Sequence, residues 1–313
     1  MQIKAKTFLR IVFLFCMLLS AGCKASGPEL NPTPLDSTPR LLVMSAFDAE
    51  LSKLRSHTAV TATYEINGRT VSVGQLAGKN VVLLLSGESM VNAAMTVQAA
   101  LDRFNVIGIV FSGIAGGINP DLAIGDVTVP AQWGEYQEQL FARQTAQGWS
   151  TTGFSQDFGN FEGMFPQPVT VTQSGDTPDN PKKQFWFPVS PVMLATAKDI
   201  ANQVSLSKCI LVVCLGSEPK VVVGGNGVSG PTFVDNAQYR DWVWQTFHAD
   251  AVDMESAAVA HVAYTNNVPF IVFRSLSDLA GGGSGANEIA TFFLLAANNS
   301  ANVVEAFLGK LPE

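Results

Sequence analysis

The sequence holds only three histidines, His57, His248 and His261, and four cysteines, Cys16, Cys23, Cys209 and Cys214. No histidine stands at metal-ligand spacing from another or from a cysteine, so no metal site is expected. Charge is equally scarce: Asp, Glu, Lys and Arg make up 14% of the 313 residues, and 19 basic against 26 acidic side chains leave a formal charge of -7. Such a chain has no electrostatic reason to gather on nucleic acid or on anionic lipid. The apolar run from Ile11 to Leu19 is too short to span a bilayer. What is abundant is apolar mass, 47% of the residues, enough for one large packed core.

The first residues read as a targeting segment. Lys4, Lys6 and Arg10 precede the Ile11 to Leu19 run, and Ser20-Ala21-Gly22 lead to Cys23. The stretch "LSAGC" is similar to a bacterial lipobox, which implies removal of residues 1–22, acylation of Cys23 and an exported protein anchored by lipid to a bacterial membrane. Residues 23–40 carry Pro28, Pro32, Pro34 and Pro39 among small polar residues and are expected to form an extended tether. In an oxidising compartment Cys209 and Cys214 of "CILVVC" could pair, or both could stay buried as small hydrophobes. On one straight strand, residues five apart face opposite ways.

From Leu41 onward, short apolar runs alternate with helical patterns. Strands are predicted at Leu41 to Ser45, Val81 to Ser86, Val106 to Ser112, Asp126 to Val129, Lys220 to Gly224 and Phe270 to Ser275. Helices are predicted from about Asp48, up to Phe104, and near Val192 to Val204, Gln238 to Phe247, Glu255 to Thr265 and Glu288 to Leu308. "YEINGRTVSVG" reads as a hairpin, with Asn67-Gly68 suited to a type I′ turn. The pattern argues a single α/β domain over residues 41–313, a three-layer α/β/α sandwich about a largely buried central mixed β-sheet. The segment from Trp133 to Pro191 departs from it as a long aromatic-rich insertion, whose rings are expected to pin it to the surface.

Several strand ends carry residues that are costly to bury: Glu50 in "LLVMSAFDAEL", the glycines of "SGIAGGINP", "SGPTFVDN", the acids of "VDMES", and "FRSLSDLAGG". In α/β folds, sites gather where such carboxyl ends meet. The motifs "SGIAGG", "SGPTFVDN", "VDMESAAVAHVA" and "RSLSD", in that order, resemble the nucleoside phosphorylase and nucleosidase superfamily, and most closely its methylthioadenosine/S-adenosylhomocysteine nucleosidase branch.

The resemblance implies hydrolysis of the N-glycosidic bond of a purine nucleoside, without a cofactor. It implies that Asp278 is the general acid that protonates the leaving purine, with Ser277 beside it. Glu50 would deprotonate the attacking water, and Arg274 would help hold that water. Glu255 would bind the ribose diol, with Met254 against the sugar face and Asp253 behind. Phe233 would stack on the purine, Val234 would offer backbone bonds to its edge, and Ala115 and Gly116 would form the tight turn beside base and sugar. Phe47 would stand at the sugar's 5′ side, where the nucleosidases have methionine; Ile114 stands where they have serine, and "SGESMV" replaces a more glycine-rich turn. The resemblance also implies a homodimer, in which the insertion would help cover the 5′ end. Two alternatives share the superfamily: a phosphate-dependent phosphorylase, and a non-catalytic nucleoside-binding or storage protein. Against the first, Asp48 and Glu50 stand where phosphate binders place Gly and Arg, and "SGESMVN" adds Glu88 and no cation.

Overall fold

The computed structural model describes residues 33–177 and 181–312; the targeting segment and Cys23 lie outside the described residues. Twelve strands form one sheet. They are β1 (Asp36–Ser45), β2 (Ala59–Ile66), β3 (Arg69–Leu76), β4 (Lys79–Leu85), β5 (Phe104–Gly117), β6 (Val127–Val129), β7 (Gln132–Gly134), β8 (Trp186–Pro188), β9 (Val221–Val223), β10 (Asn226–Ser229), β11 (Ala249–Asp253) and β12 (Phe270–Asp278). Six helices accompany them among the described residues: α1 (Asp48–His57), α2 (Met90–Arg103), α3 (Pro191–Ile200), α4 (Ala237–Phe247), α5 (Ser256–Thr265) and α6 (Ile289–Lys310).

The layers follow from alternation within the central strands. Leu42 and Met44 of β1, with Ile109 and Phe111 of β5, join one core cluster with Ala93 and Val97 of α2 and Val259 and Ala263 of α5. Leu41, Val43 and Val110 face the other way, onto Leu51 and Leu54 of α1, Ala197 of α3 and Val304 and Phe307 of α6. Burial on both faces is why these strands read as unbroken apolar runs. The expected α/β/α sandwich is therefore present, and its sheet is mixed: β5 pairs in parallel with β1 and β12 but antiparallel with β11.

Strand β5 is the junction. Along Phe104 to Phe111 it pairs with β1, along Ile109 to Gly116 with β12, and at Gly116 and Gly117 with β11. The carboxyl ends of β1, β5 and β12 therefore open on one side of the sheet, while β11 runs back toward them and delivers the residues after Val252 to the same place.

Some local outcomes differ from the sequence reading. Strand β1 begins at Asp36, not Leu41, because an Asp36–Arg40 ion pair of 2.6 Å lets the polar lead-in join the sheet beside Phe104. Strands β10 and β11 form where the sequence shows no strand pattern, since glycine and two aspartates interrupt any apolar run. Asp250 is nonetheless buried, accepting an Asn119 side-chain hydrogen bond of 2.9 Å. The Asn67-Gly68 turn has the two positive φ angles, 51° and 73°, that a type I′ hairpin needs. Cys209 and Cys214 form a disulfide, because the segment is not one straight strand: it doubles back at Leu211 and Val212, placing the two cysteines opposite each other. The insertion is a set of short hairpins whose rings pack on α4, with Phe158 and Phe185 at 5.2 and 5.5 Å from Phe247. Phe141 and Phe154 remain exposed.

Candidate active site

A cavity of about 390 Å³ opens at the junction of the strand ends. Its walls include Phe47, Glu50, Ile114, Ala115, Gly116, Phe233, Val234, Met254, Glu255, Ser277 and Asp278, which brings together all the expected site residues except Arg274. Arg274 lies directly behind it, fully buried on β12.

Glu50 sits in the first turn of α1 and is 1% exposed. Its Oε2 accepts from the backbone N–H of Ala46 at 2.8 Å and of Phe47 at 3.4 Å, while Oε1 accepts from the N–H of Ile114 at 2.7 Å. A carboxylate reaching back to the amides that precede its own helix is a favoured arrangement at an N-terminus. Burial dominates its titration and pushes its pKa up to about 7, against the opposing pull of Arg274 and of the three amides.

Arg274 is the centre of an acid cluster. Its Nε meets Asp253 Oδ2 at 2.6 Å and donates to Ser256 Oγ at 3.0 Å. The Nη1 and Nη2 groups lie 3.7 Å from Glu50 and 3.6 Å from Glu255, too far for hydrogen bonds, so neither has such a partner among the described residues. The guanidinium also stacks 4.2 Å above the Phe111 ring. Asp253 accordingly serves as a structural brace: besides Arg274 it accepts from the N–H groups of Glu255 and Ser256 and from the Ser229 hydroxyl. Only glycine fits at 113, where a Cβ would lie 1.7 Å from Arg274 Nη1 and 2.6 Å from Glu50 Oε1.

Glu255, 6% exposed, accepts the Ser89 N–H at 2.7 Å on Oε1. Burial raises its pKa, an effect that Arg274 opposes and Asp253 reinforces. The Ser89 amide is aimed there by a backbone with φ 74° and ψ 161°, a region that residues other than glycine rarely occupy. Asp278, at the end of β12, is 2% exposed. Its Oδ1 accepts from Ala280 N–H at 2.8 Å, and Oδ2 lies 2.9 Å from Ser277 Oγ. Burial again raises the pKa, against those donors.

Sequence reasoning placed Asp253 behind Glu255 but missed its pairing with Arg274, and it missed the backbone of Ser89 and the wall formed by Ile289 and Phe293 of α6. Phe293 stacks on Phe47 with ring centroids 5.6 Å apart. The spacing of Ile289 and Phe293 was the available signal, since residues four apart share a helix face. Among the described residues of one chain, none from the insertion lines the cavity; α6 supplies the wall beside Phe47. Among the described residues, no metal-holding cluster occurs and no Lys, Arg or His lines the cavity.

Residues 40–309 match the phosphorylase superfamily. The chain is 28% identical to bark storage protein A of Populus deltoides, over 83% of this chain and 84% of that protein. It is also 28% identical to 5′-methylthioadenosine/S-adenosylhomocysteine nucleosidase of Bacillus thuringiensis, over 87% of this chain and 99% of that one. The solved structure of the corresponding nucleosidase of Colwellia psychrerythraea, in complex with adenine, superposes with a TM-score of 0.64 at 28% identity, covering 88% and 96% of the two chains. With its mixed sheet, its strand-end cavity and this match over most of its length, the chain belongs to the phosphorylase superfamily.

Proposed function

We propose that the protein is an N-glycosyl hydrolase that splits purine nucleosides, of the methylthioadenosine or adenosine type, into free base and sugar. The observation that carries this reading is the convergence of three buried carboxyl groups, Glu50, Glu255 and Asp278, on one cavity from three separate elements. Burying such groups is costly unless each has a partner. Arg274 alone cannot neutralise them all, and a polyhydroxylated sugar that gains positive charge as its bond to the base breaks is a matching ligand.

The division of labour follows from the surroundings. Asp278, whose carboxyl burial shifts toward the protonated form, is the group placed to give a proton to the departing base. Burial lifts the Glu255 pKa to about 8, and hydrogen bonds from the ribose hydroxyls together with the developing cation favour its ionised form, which sets negative charge beside that cation. Glu50 takes a proton from water as that water attacks the sugar carbon, and Arg274, buried behind it with Nη1 3.7 Å from Glu50 Oε1, helps hold that water by fixing the carboxylate it meets. Phe233, 53% exposed at the cavity wall, is free to stack on the base. The Phe47–Phe293 pair gives the 5′ substituent an apolar wall.

Water, not phosphate, is the acceptor in this reading. Besides the proton-donating Asp278, the acids Glu50, Glu88, Asp253 and Glu255 line the cavity. Two like charges about 4 Å apart repel by roughly 4 kcal/mol at an effective dielectric of 20, so a phosphate dianion would be opposed from several sides. Base release from methylthioadenosine, adenosine or inosine is expected at a rate independent of added phosphate, with free sugar as co-product. Strict phosphate dependence with ribose 1-phosphate as product would move the protein to the phosphorylase reading. No release from any nucleoside, despite binding, would favour the storage reading that the bark protein represents.

A homodimer and lipid anchoring outside the cytoplasm at Cys23 are proposed from the sequence alone. The mass in solution tests the first. A shift of Cys23→Ser from membranes to the soluble fraction tests the second.

A further inference from the structure

The turn that carries Asp278 is docked against the loop that carries Phe233 and Val234. Asn236 N–H donates to Ala280 O at 3.1 Å, and Gly281, at φ +89°, packs so closely that a Cβ there would lie 2.3 Å from Asn236 N. Asn287, just before α6, spans the same junction. Its Nδ2 donates to Asp235 Oδ1 at 3.0 Å and to Asp278 Oδ1 at 3.4 Å, and its Oδ1 accepts from Ile289 N–H at 2.9 Å. Every polar atom of that side chain is committed, so its orientation is defined.

The two oxygens of Asp278 consequently differ. Oδ1 receives two donors that cannot reverse, the Ala280 amide and the Asn287 carboxamide. Among the described residues Oδ2 faces only the Ser277 hydroxyl, whose single hydrogen has an alternative acceptor in Ala115 O at 3.3 Å. A proton on Oδ1 would point at two fixed donors, whereas one on Oδ2 is accommodated by rotation of Ser277.

We infer that Asn287 is a positioning residue for the general acid: with the Ala280 amide it holds Asp278 Oδ1 as a pure acceptor, which leaves Oδ2 as the proton-bearing oxygen turned toward the leaving base. The inference rests on the hydrolase reading. In the step it serves, the Oδ2–H proton passes to a base nitrogen, the electron pair of the broken C–N bond stays on the base, and the carboxylate left behind is the form its donors bind best. Asn287 thereby makes Asp278 a stronger acid as well as a better aimed one. The other charges facing Asp278 are Glu288 on the same turn, Asp235 across Asn287, Arg240 of α4 packed on Gly282, Asp253 and Glu255 across the cavity, and Arg274 earlier on β12.

The test compares purine nucleosides, which need the acid, with p-nitrophenyl riboside, whose phenolate leaves unprotonated. Asn287→Ala should lower kcat on adenosine-type substrates about tenfold, while the phenyl riboside loses less than about twofold. The limb of the pH–rate profile set by Asp278 ionisation should move up by about one pH unit, since the carboxylate has lost a donor. Asn287→Asp, close in size, should move both quantities further in the same directions and serves if the alanine variant folds poorly. Equal slowing of both substrate types, or an unmoved limb, overturns the inference and leaves the hydrolase reading intact. A wild type that cleaves neither substrate overturns both.

Discussion

Asp278→Asn is expected to abolish base release while the protein stays folded. General acid catalysis contributes about 10²- to 10⁴-fold, and a departing purine without a proton is a poor leaving group. The substitution keeps every local bond that the structure offers. An asparagine Oδ1 still accepts from Ala280 and Asn287, and its Nδ2 can donate to Ser277 Oγ, which turns to donate to Ala115 O. With no buried group left unsatisfied, the stability change should stay within about 1 kcal/mol. Turnover and thermal unfolding measured together check this. Near-normal turnover in the variant would show that another group carries the proton, whereas collapse of the fold would show that the carboxyl group is structural.

Replacing Glu50 by Gln should be nearly as severe, and its pH dependence is more informative. As general base Glu50 must be ionised, and burial has raised its pKa to about 7. The wild-type rate should therefore fall as pH drops through about 7, and loss of the base should cost about 10²- to 10⁴-fold at the optimum. The folded pKa lies above the ordinary value of 4.5, so between those two pH values the folded state binds more protons than the unfolded one. The Glu50 contribution to stability should accordingly decline as pH rises across that interval, by about 3 kcal/mol, and Glu255, whose pKa burial raises to about 8, should extend the decline beyond it. Rate and stability thus run in opposite directions through one titration. The measurements are kcat/KM and denaturant midpoint against pH; a rate that stays flat down to about pH 5 would remove Glu50 from the role of base.

Much of this site is legible in the amino-acid sequence because the relevant chemistry is local to strand ends. Glu50, Glu255 and Asp278 each follow an apolar run directly or stand at the mouth of an apolar helix, where an acid is costly without a purpose. Alternation within "LLVM" and "VIGIVFS" does not show in the letters, since both faces are buried, yet the runs themselves mark β1 and β5 as central strands. Helices α4, α5 and α6 lie within a residue or two of their predicted bounds, because their periodic patterns span several turns.

What tertiary structure alone decided are the relations between distant residues. That β11 exists at all depends on pairing with β5 and β10, whose backbones supply the hydrogen bonds that the local pattern around Asp250 and Asp253 does not promise. Whether Asp253 is a solvated cap or a brace under Arg274 depends on β12 crossing behind it, 21 positions later in the chain by the numbers 253 and 274. The amide of Ser89 reaches Glu255 only because α2 and α5 share one face of the sheet, and Cys209 meets Cys214 only because the chain reverses between them. Residue type and local pattern determined which groups were too costly to bury without a partner; three-dimensional packing determined who the partner is, because hydrogen bonds and charges act over a few ångströms of space and not along the chain.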